Sequence, residues 1–346
     1  MKKDKHVKGM SLPLGRRQFL TGAATAGLVS VSGFGLPGAL AQKSDKSGTV
    51  RVWGEPGPYG GVAVQAMNEW AQANAPNLKF EIESIPWSGV YVKLETDLAA
   101  KRPPGIISVE SPLAMQLMAE GLLSPLDDVV DKVGRNRLAE GMKWEDWGTW
   151  TGKQYTLPAH HQPHLLLVRM DVINELGLGN PDEWDWNDLL KAAKTVTEKK
   201  KDMAGLAMAL GRNLCTGYHF SALLHSAGGR MFDPANKFEV VFDSPETVEA
   251  LTFVKELQPY MPKGAAEYSF LQVVDSHVTG RTAMSFYWGR TLGRAAQEAK
   301  DVFDATEAFN HARHPKTGNR SNWNDFPGWC IPGQNNPYVQ EDKQAL

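Results

Sequence analysis

Gly152-Lys153-Gln154-Tyr155-Thr156-Leu157-Pro158-Ala159-His160-His161-Gln162-Pro163-His164 holds a turn, a short extended run, two prolines and three imidazoles. The sequence on either side reads as a separate α/β unit. The stretch therefore marks where the chain leaves one lobe and enters another. Side chains beside such a crossing face the cleft between lobes.

On its N-terminal side, 49–53 is rich in β-branched and aromatic residues and predicts a strand. A Gly/Pro-rich loop over 54–61 follows. Val62, Ala66, Met67 and Trp70 mark one face of a helix over 62–73, and residues 78–83 alternate as a second strand. Strand, helix and strand in that order predict a parallel pair with a right-handed crossover. Ligands of such sheets bind beyond the carboxyl ends of the strands, here the 53–61 loop. A helix over 91–100, a strand over 106–111 and a helix over 112–120 continue the unit. On the C-terminal side, strands are expected over 165–168, 205–210 and 283–289. Helices are expected over 172–176, 184–200, 220–226, 245–257, 273–279 and 292–302. Asp185 and Ser244 stand where N-caps belong.

The first 41 residues read as an address. Six basic residues (Lys2, Lys3, Lys5, Lys8, Arg16, Arg17) face one acid, Asp4, and a small-residue apolar run ends at Ala39-Leu40-Ala41. That is the pattern of a cleaved secretory signal peptide. Arg16-Arg17 before Gln18-Phe19-Leu20 makes it a twin-arginine signal, so a periplasmic location is expected. Without it, Lys+Arg falls from 37 to 31 and Asp+Glu from 39 to 38, giving a net charge of -7. A negative chain of this kind is a poor partner for nucleic acid or anionic membrane. Cys215 and Cys330 are the two cysteines, 115 residues apart, and no motif joins them.

Gly280-Arg281-Thr282-Ala283-Met284 completes a series of short patterns. Before it come Val50-Arg51-Val52-Trp53-Gly54, Tyr91 to Ala100, Pro103-Pro104-Gly105-Ile106-Ile107-Ser108-Val109-Glu110 and Gly121-Leu122-Leu123-Ser124-Pro125-Leu126-Asp127. Gly152 to Pro158, Arg169-Met170-Asp171 and Pro181-Asp182-Glu183-Trp184 follow those in order. In this order they resemble the extracellular solute-binding proteins of carbohydrate ABC transporters, the class that includes maltose-binding protein. Gly105 departs from the pattern, where the family usually has Asp. The resemblance implies a two-lobed α/β fold of the type II periplasmic-binding-protein kind. Lobe 1 is expected over 42–157 with 328–346 returning to it, and lobe 2 over 158–327. It further implies a monomer that captures a sugar or oligosaccharide and delivers it to a membrane permease, with no cofactor and no enzymatic step. Members usually continue through several helices beyond the stretch matching Asn336 to Leu346. A fragment, a truncated reading frame or a shortened variant is therefore expected, with apolar surface exposed.

Ligand-binding candidates follow from sugar chemistry. Flat C–H faces of sugar rings stack on aromatic side chains at loops, which selects Trp53, Tyr59, Trp87, Tyr287, Trp288 and Trp323. Hydroxyls need paired donors and acceptors, which selects Glu55, Glu110, Ser111, His161, Gln162, Arg212, Arg290 and Asn324. Gln162 leads this set, because its family counterpart beside the crossing is often a ligand contact. Packing or capping is an equal reading for any one of them. Trp144, Trp147 and Trp150 form an i, i+3, i+6 row that suggests helix packing. His160, His161 and His164 offer a rival reading, a metal or other small-solute site. On an extended strand His160 and His164 share a face and His161 points away. Glu55 and Glu110 would have to be the carboxylate pair of any glycosidase. Neither a nucleophile elbow nor a phosphate loop is present.

Overall fold

The computed structural model describes residues 46–54, 58–85, 89–134, 148–236, 239–287, 289–333 and 343. The expected signal peptide, Glu55, Trp87, Trp144, Trp147, Trp288 and most of the 334–346 tail lie outside the described residues. Only the backbone of Tyr59 is described.

The N-terminal strands β1 (Gly48–Gly54), β2 (Leu78–Ser84) and β3 (Ile106–Val109) form a parallel set in the order β2-β1-β3. The helix Pro58–Asn74 makes the crossover between β1 and β2, as the apolar spacing predicts. Two late segments complete this sheet. β6 (Leu157–Pro158) and β13 (Gly328–Cys330) add antiparallel strands in the order β3-β13-β6. Burial on both faces explains the apolar run Ile106–Val109, all four residues of which are buried. One face holds Val50, Val52, Phe80 and Ile106, and the other Trp53, Leu94, Ile107 and Leu117.

A second sheet has the order β11-β8-β10-β9, from β8 (Leu165–Arg169), β9 (Ala204–Ala207), β10 (Thr282–Tyr287) and β11 (Thr306–Phe309). Its largest core gathers Trp186, Leu189, Val196, Leu206, Phe253 and Phe286. Trp186 stacks on Phe253 with centroids 4.3 Å apart. Asp185 caps the helix Trp186–Lys199 through a reciprocal capping box with Asp188, and Ser244 caps Pro245–Leu257. Between the sheets runs a ribbon of β7 (Gln162–Pro163) and β12 (Asn324–Asp325), paired antiparallel with Asp325 opposite Gln162.

Three local expectations are corrected. Trp150 is in β4 (Thr149–Trp150) rather than a helical row, because it pairs with Lys153 of β5 (Lys153–Gln154) across a hairpin. The single helix over 292–302 is two, Gly289–Glu298 and Lys300–Ala305, broken at Ala299. The helix expected at 220 begins at Leu214, because Asn213 caps it by accepting from the Thr216 amide.

Gly205 carries a tertiary constraint. A Cβ there would lie 2.1 Å from the Ala193 carbonyl oxygen and 2.4 Å from its Cα. The Trp186–Lys199 helix therefore rests directly on β9. Gly205→Ala is expected to lower stability by about 2 kcal/mol, as overpacking of a rigid contact does. Chemical denaturation should show a lower midpoint with an unchanged slope; a wild-type midpoint would refute the contact.

Candidate functional site

The crossing ribbon meets both sheets at one buried cluster. Glu110 follows β3 and precedes the helix Ser111–Ala119, so its side chain leaves the carboxyl end of a parallel strand. Its Oε2 accepts a 2.8 Å hydrogen bond from the Tyr218 hydroxyl. Tyr218 belongs to the helix Leu214–Ala227, which packs on the second sheet. Asp325, on the ribbon, accepts from the Ser111 hydroxyl at 3.3 Å and from the Phe326 amide at 3.0 Å. Strand end, ribbon and helix are thus joined through four side chains from three segments that lie more than a hundred residues apart in sequence.

Electrostatics at the cluster are unusual. Burial first, and the Asp325 charge second, push the Glu110 carboxyl up to about 7. Burial raises Asp325 to about 6 against the hydrogen bonds from Ser111 and Phe326. Among the described residues no cation contributes to either change. The Tyr218 hydroxyl is pushed up by burial and by the two carboxylates, so it remains a donor.

Aromatic rings surround these groups. Tyr218 stacks on Trp323 at 4.7 Å and 8°. His164 touches Tyr218, His219 and Tyr287 edge-on. On the outer side of the ribbon His161 stacks on Phe326 at 4.9 Å and hydrogen-bonds Asn324 Oδ1 at 3.2 Å. The Gln162 side-chain nitrogen meets His160 Nε2.

Of the sequence candidates, Glu110, Ser111, Gln162 and Trp323 come together at the crossing, with His161 and Asn324 on its exposed side. Trp53 is instead buried in the first sheet, where its Nε1 donates to Glu83 at 3.0 Å and Lys93 covers its ring. Tyr287 is fully buried, stacked on Phe270, one ring behind Tyr218. Arg290 lies 5.8 Å over Phe270, and Arg212 is exposed beside the helix start at Leu214. The histidines separate: His164 is enclosed in the second sheet's aromatic nest, while His161 stacks on Phe326 and His160 meets the Gln162 side chain. Among the described residues no three His, Cys, Asp or Glu side chains form a metal-ligating group. Cys215 and Cys330 are each free and buried.

Sequence reading missed Tyr218 and Asp325. Asn213 was the available signal for Tyr218, since a cap there extends the helix to include it. Asp325 adjoins two named candidates, but only its pairing with Gln162 turns it inward.

The sequence profile of the bacterial extracellular solute-binding proteins matches residues 58–319. A binding protein of Brucella abortus is 22% identical over 195 residues, which are 55% of this chain and 45% of that relative. The match thus spans less than half of the relative's length. Among solved structures, maltose-bound T. maritima MalE3 has a TM-score of 0.75 at 18% identity, covering 86% of this chain and 75% of that one. A sugar transporter protein of Arthrobacter chlorophenolicus with bound laminaribiose gives 0.72 at 20% identity, covering 86% and 74%. A solute-binding protein of Agrobacterium vitis with bound D-mannitol gives 0.70 at 22%, covering 86% and 71%. These likenesses establish the two-lobed α/β fold.

Proposed function

This chain belongs to the bacterial extracellular solute-binding protein family, and on that premise we propose that it is the substrate-binding component of an ABC importer for a saccharide or polyol. The observation that carries this reading is the junction at the ribbon. There a stacked Tyr218–Trp323 pair adjoins buried hydrogen-bonding groups drawn from both sheets. Aromatic faces beside a few fixed polar groups suit a sugar ring. The family relatives solved with maltose, laminaribiose and D-mannitol support the ligand class.

Lobe 1 is taken as 42–157 with 328–346, and lobe 2 as 158–327, in keeping with Leu157 and β13 on one sheet and β8–β11 on the other, the boundary falling within β6. The protein acts as a monomer, exported by the twin-arginine route and cleaved near Ala41. A ligand touching both lobes favours the closed form by its differential affinity for that form. Rotation about the paired crossing strands closes the lobes and presents a surface to the permease. No covalent step is needed, and the ligand should be recovered unchanged after incubation.

Thermal melts of the protein against neutral sugars, oligosaccharides and polyols test the reading. One class should raise stability by about 2.7 kcal/mol at a hundredfold excess over Kd. No response across the carbohydrates, beside a clear shift with divalent metal, would favour the histidine reading instead.

A further inference from the structure

The junction has more acceptors than donors. Asp325 Oδ2 is buried and has no hydrogen-bond partner among the described residues, and neither has Gln162 Oε1. Asp325 is 0% and Gln162 6% exposed. The two residues are direct cross-strand partners, so both side chains leave the same face of the ribbon. Glu110 supplies a second carboxylate, already engaged by the Tyr218 hydroxyl. Among the described residues no lysine or arginine forms an ion pair with Glu110 or Asp325. Two buried carboxylates without a counter-charge are costly unless something positive joins them. One donor faces the other way: Trp323 Nε1 is buried and has no acceptor among the described residues.

We propose that the ligand carries a protonated amine, held between the Asp325 and Glu110 carboxylates with the Gln162 carbonyl as third acceptor. The proposal rests on the reading of the junction as the ligand site. An ammonium has three donors and one charge, which matches three acceptor groups and a missing cation. The stacked Tyr218–Trp323 pair suits a cation bound to a carbon skeleton. A hydroxyl of the same ligand meets Trp323 Nε1. An amino sugar or amino alditol has all of these groups. Calcium fits less well, since it takes six to eight oxygens and the junction offers fewer.

Calorimetry at pH 6.5 tests this with hexosamines and amino alditols, each against its neutral parent and its N-acetyl form. The amine should bind at least about tenfold more tightly than either counterpart. Titration of the wild-type protein in two buffers of different ionisation enthalpy should show release of about one proton per ligand, because the ammonium drives the carboxyl pair to its charged form. The Tyr218, Cys215 and His160 side chains also face this region, so Asp325→Asn serves as control. It should bring the amine-to-neutral affinity ratio to near one. Neutral sugars binding as tightly as the amines, without proton release, would overturn the amine proposal and leave the carbohydrate reading standing. Binding of spermidine or putrescine with no sugar of either kind would keep the amine and overturn the carbohydrate reading. A calcium response without any amine response would overturn the amine proposal.

Discussion

Acidification from pH 7 to about pH 4.5 is expected to cost the protein about 6 kcal/mol of stability, with four buried histidines as the main cause. His164, His277 and His311 are held down to about 3, and His219 lies well below its ordinary value, in each case chiefly by burial. Neighbouring charge adds to this: Arg169 at His277, Arg320 at His311, and the other imidazoles at His164 and His219. Geometry agrees for His219, whose Nδ1 accepts the Ala209 amide at 3.1 Å and so carries no proton. His277 is likewise fully engaged, between the Ser285 and Thr306 hydroxyls at 3.0 Å each.

A base whose folded pKa is depressed contributes stability above its unfolded value near 6.5, and loses it as pH falls toward the folded value. Four such groups give a slope of about 5 kcal/mol per pH unit. Glu110 and Asp325, which take up protons in the folded state over the same range, reduce the net slope to about 3 kcal/mol per unit. The roughly two units from about pH 6.5 to about pH 4.5 remove about 6 kcal/mol, which unfolds the chain where its stability lies at the lower end of the typical domain range of about 5–15 kcal/mol. Circular dichroism across pH 4 to 8 measures this directly. His311→Leu, which replaces a ring stacked on Phe286 at 4.3 Å, should make the acid transition shallower. A chain that stays folded with constant denaturant midpoint down to pH 4 would show that these rings are protonated in the native state.

Glu110→Gln should gain on the wild type as pH rises. The folded Glu110 carboxyl is raised from 4.5 to about 7. An acid raised in this way contributes stability below its unfolded value and loses it as pH climbs through the folded one. The stability difference between variant and wild type should therefore move in the variant's favour by about 2–3 kcal/mol between pH 5 and pH 8. The amide oxygen of Gln can still accept from Tyr218, so the connection between the two sheets persists. Asp325→Asn should change in the same direction over a window centred lower, since Asp325 is raised to about 6. Paired urea titrations at the two pH values give the answer. A difference that does not change with pH would mean that Glu110 is ionised throughout, with a counter-charge close to it.

Local patterns carried much of the fold. The β1–helix–β2 crossover, the caps at Asp185 and Ser244 and the apolar β8 are set by residues within a few positions of one another, so spacing alone reveals them. The crossing at 157–164 was legible for the same reason, as a turn, a short strand and a proline. Its meaning was less so. Which of its polar residues turns inward depends on the strand opposite: β12 places Asp325 against Gln162, while His164 enters the second sheet's core. Trp53 and Tyr287 read as loop-end aromatics, yet burial on both faces of each sheet draws their rings inside. Residues 110, 218 and 325 meet through long-range packing, and no local spacing encodes such a meeting. The sequence by itself determined the order of the elements and the two-lobed α/β class, because hydrophobic periodicity and capping are short-range. Only the tertiary structure decided that a buried carboxylate pair sits at the junction, and that the three histidines do not gather there as one group, because charge and burial there are properties of three distant segments in contact.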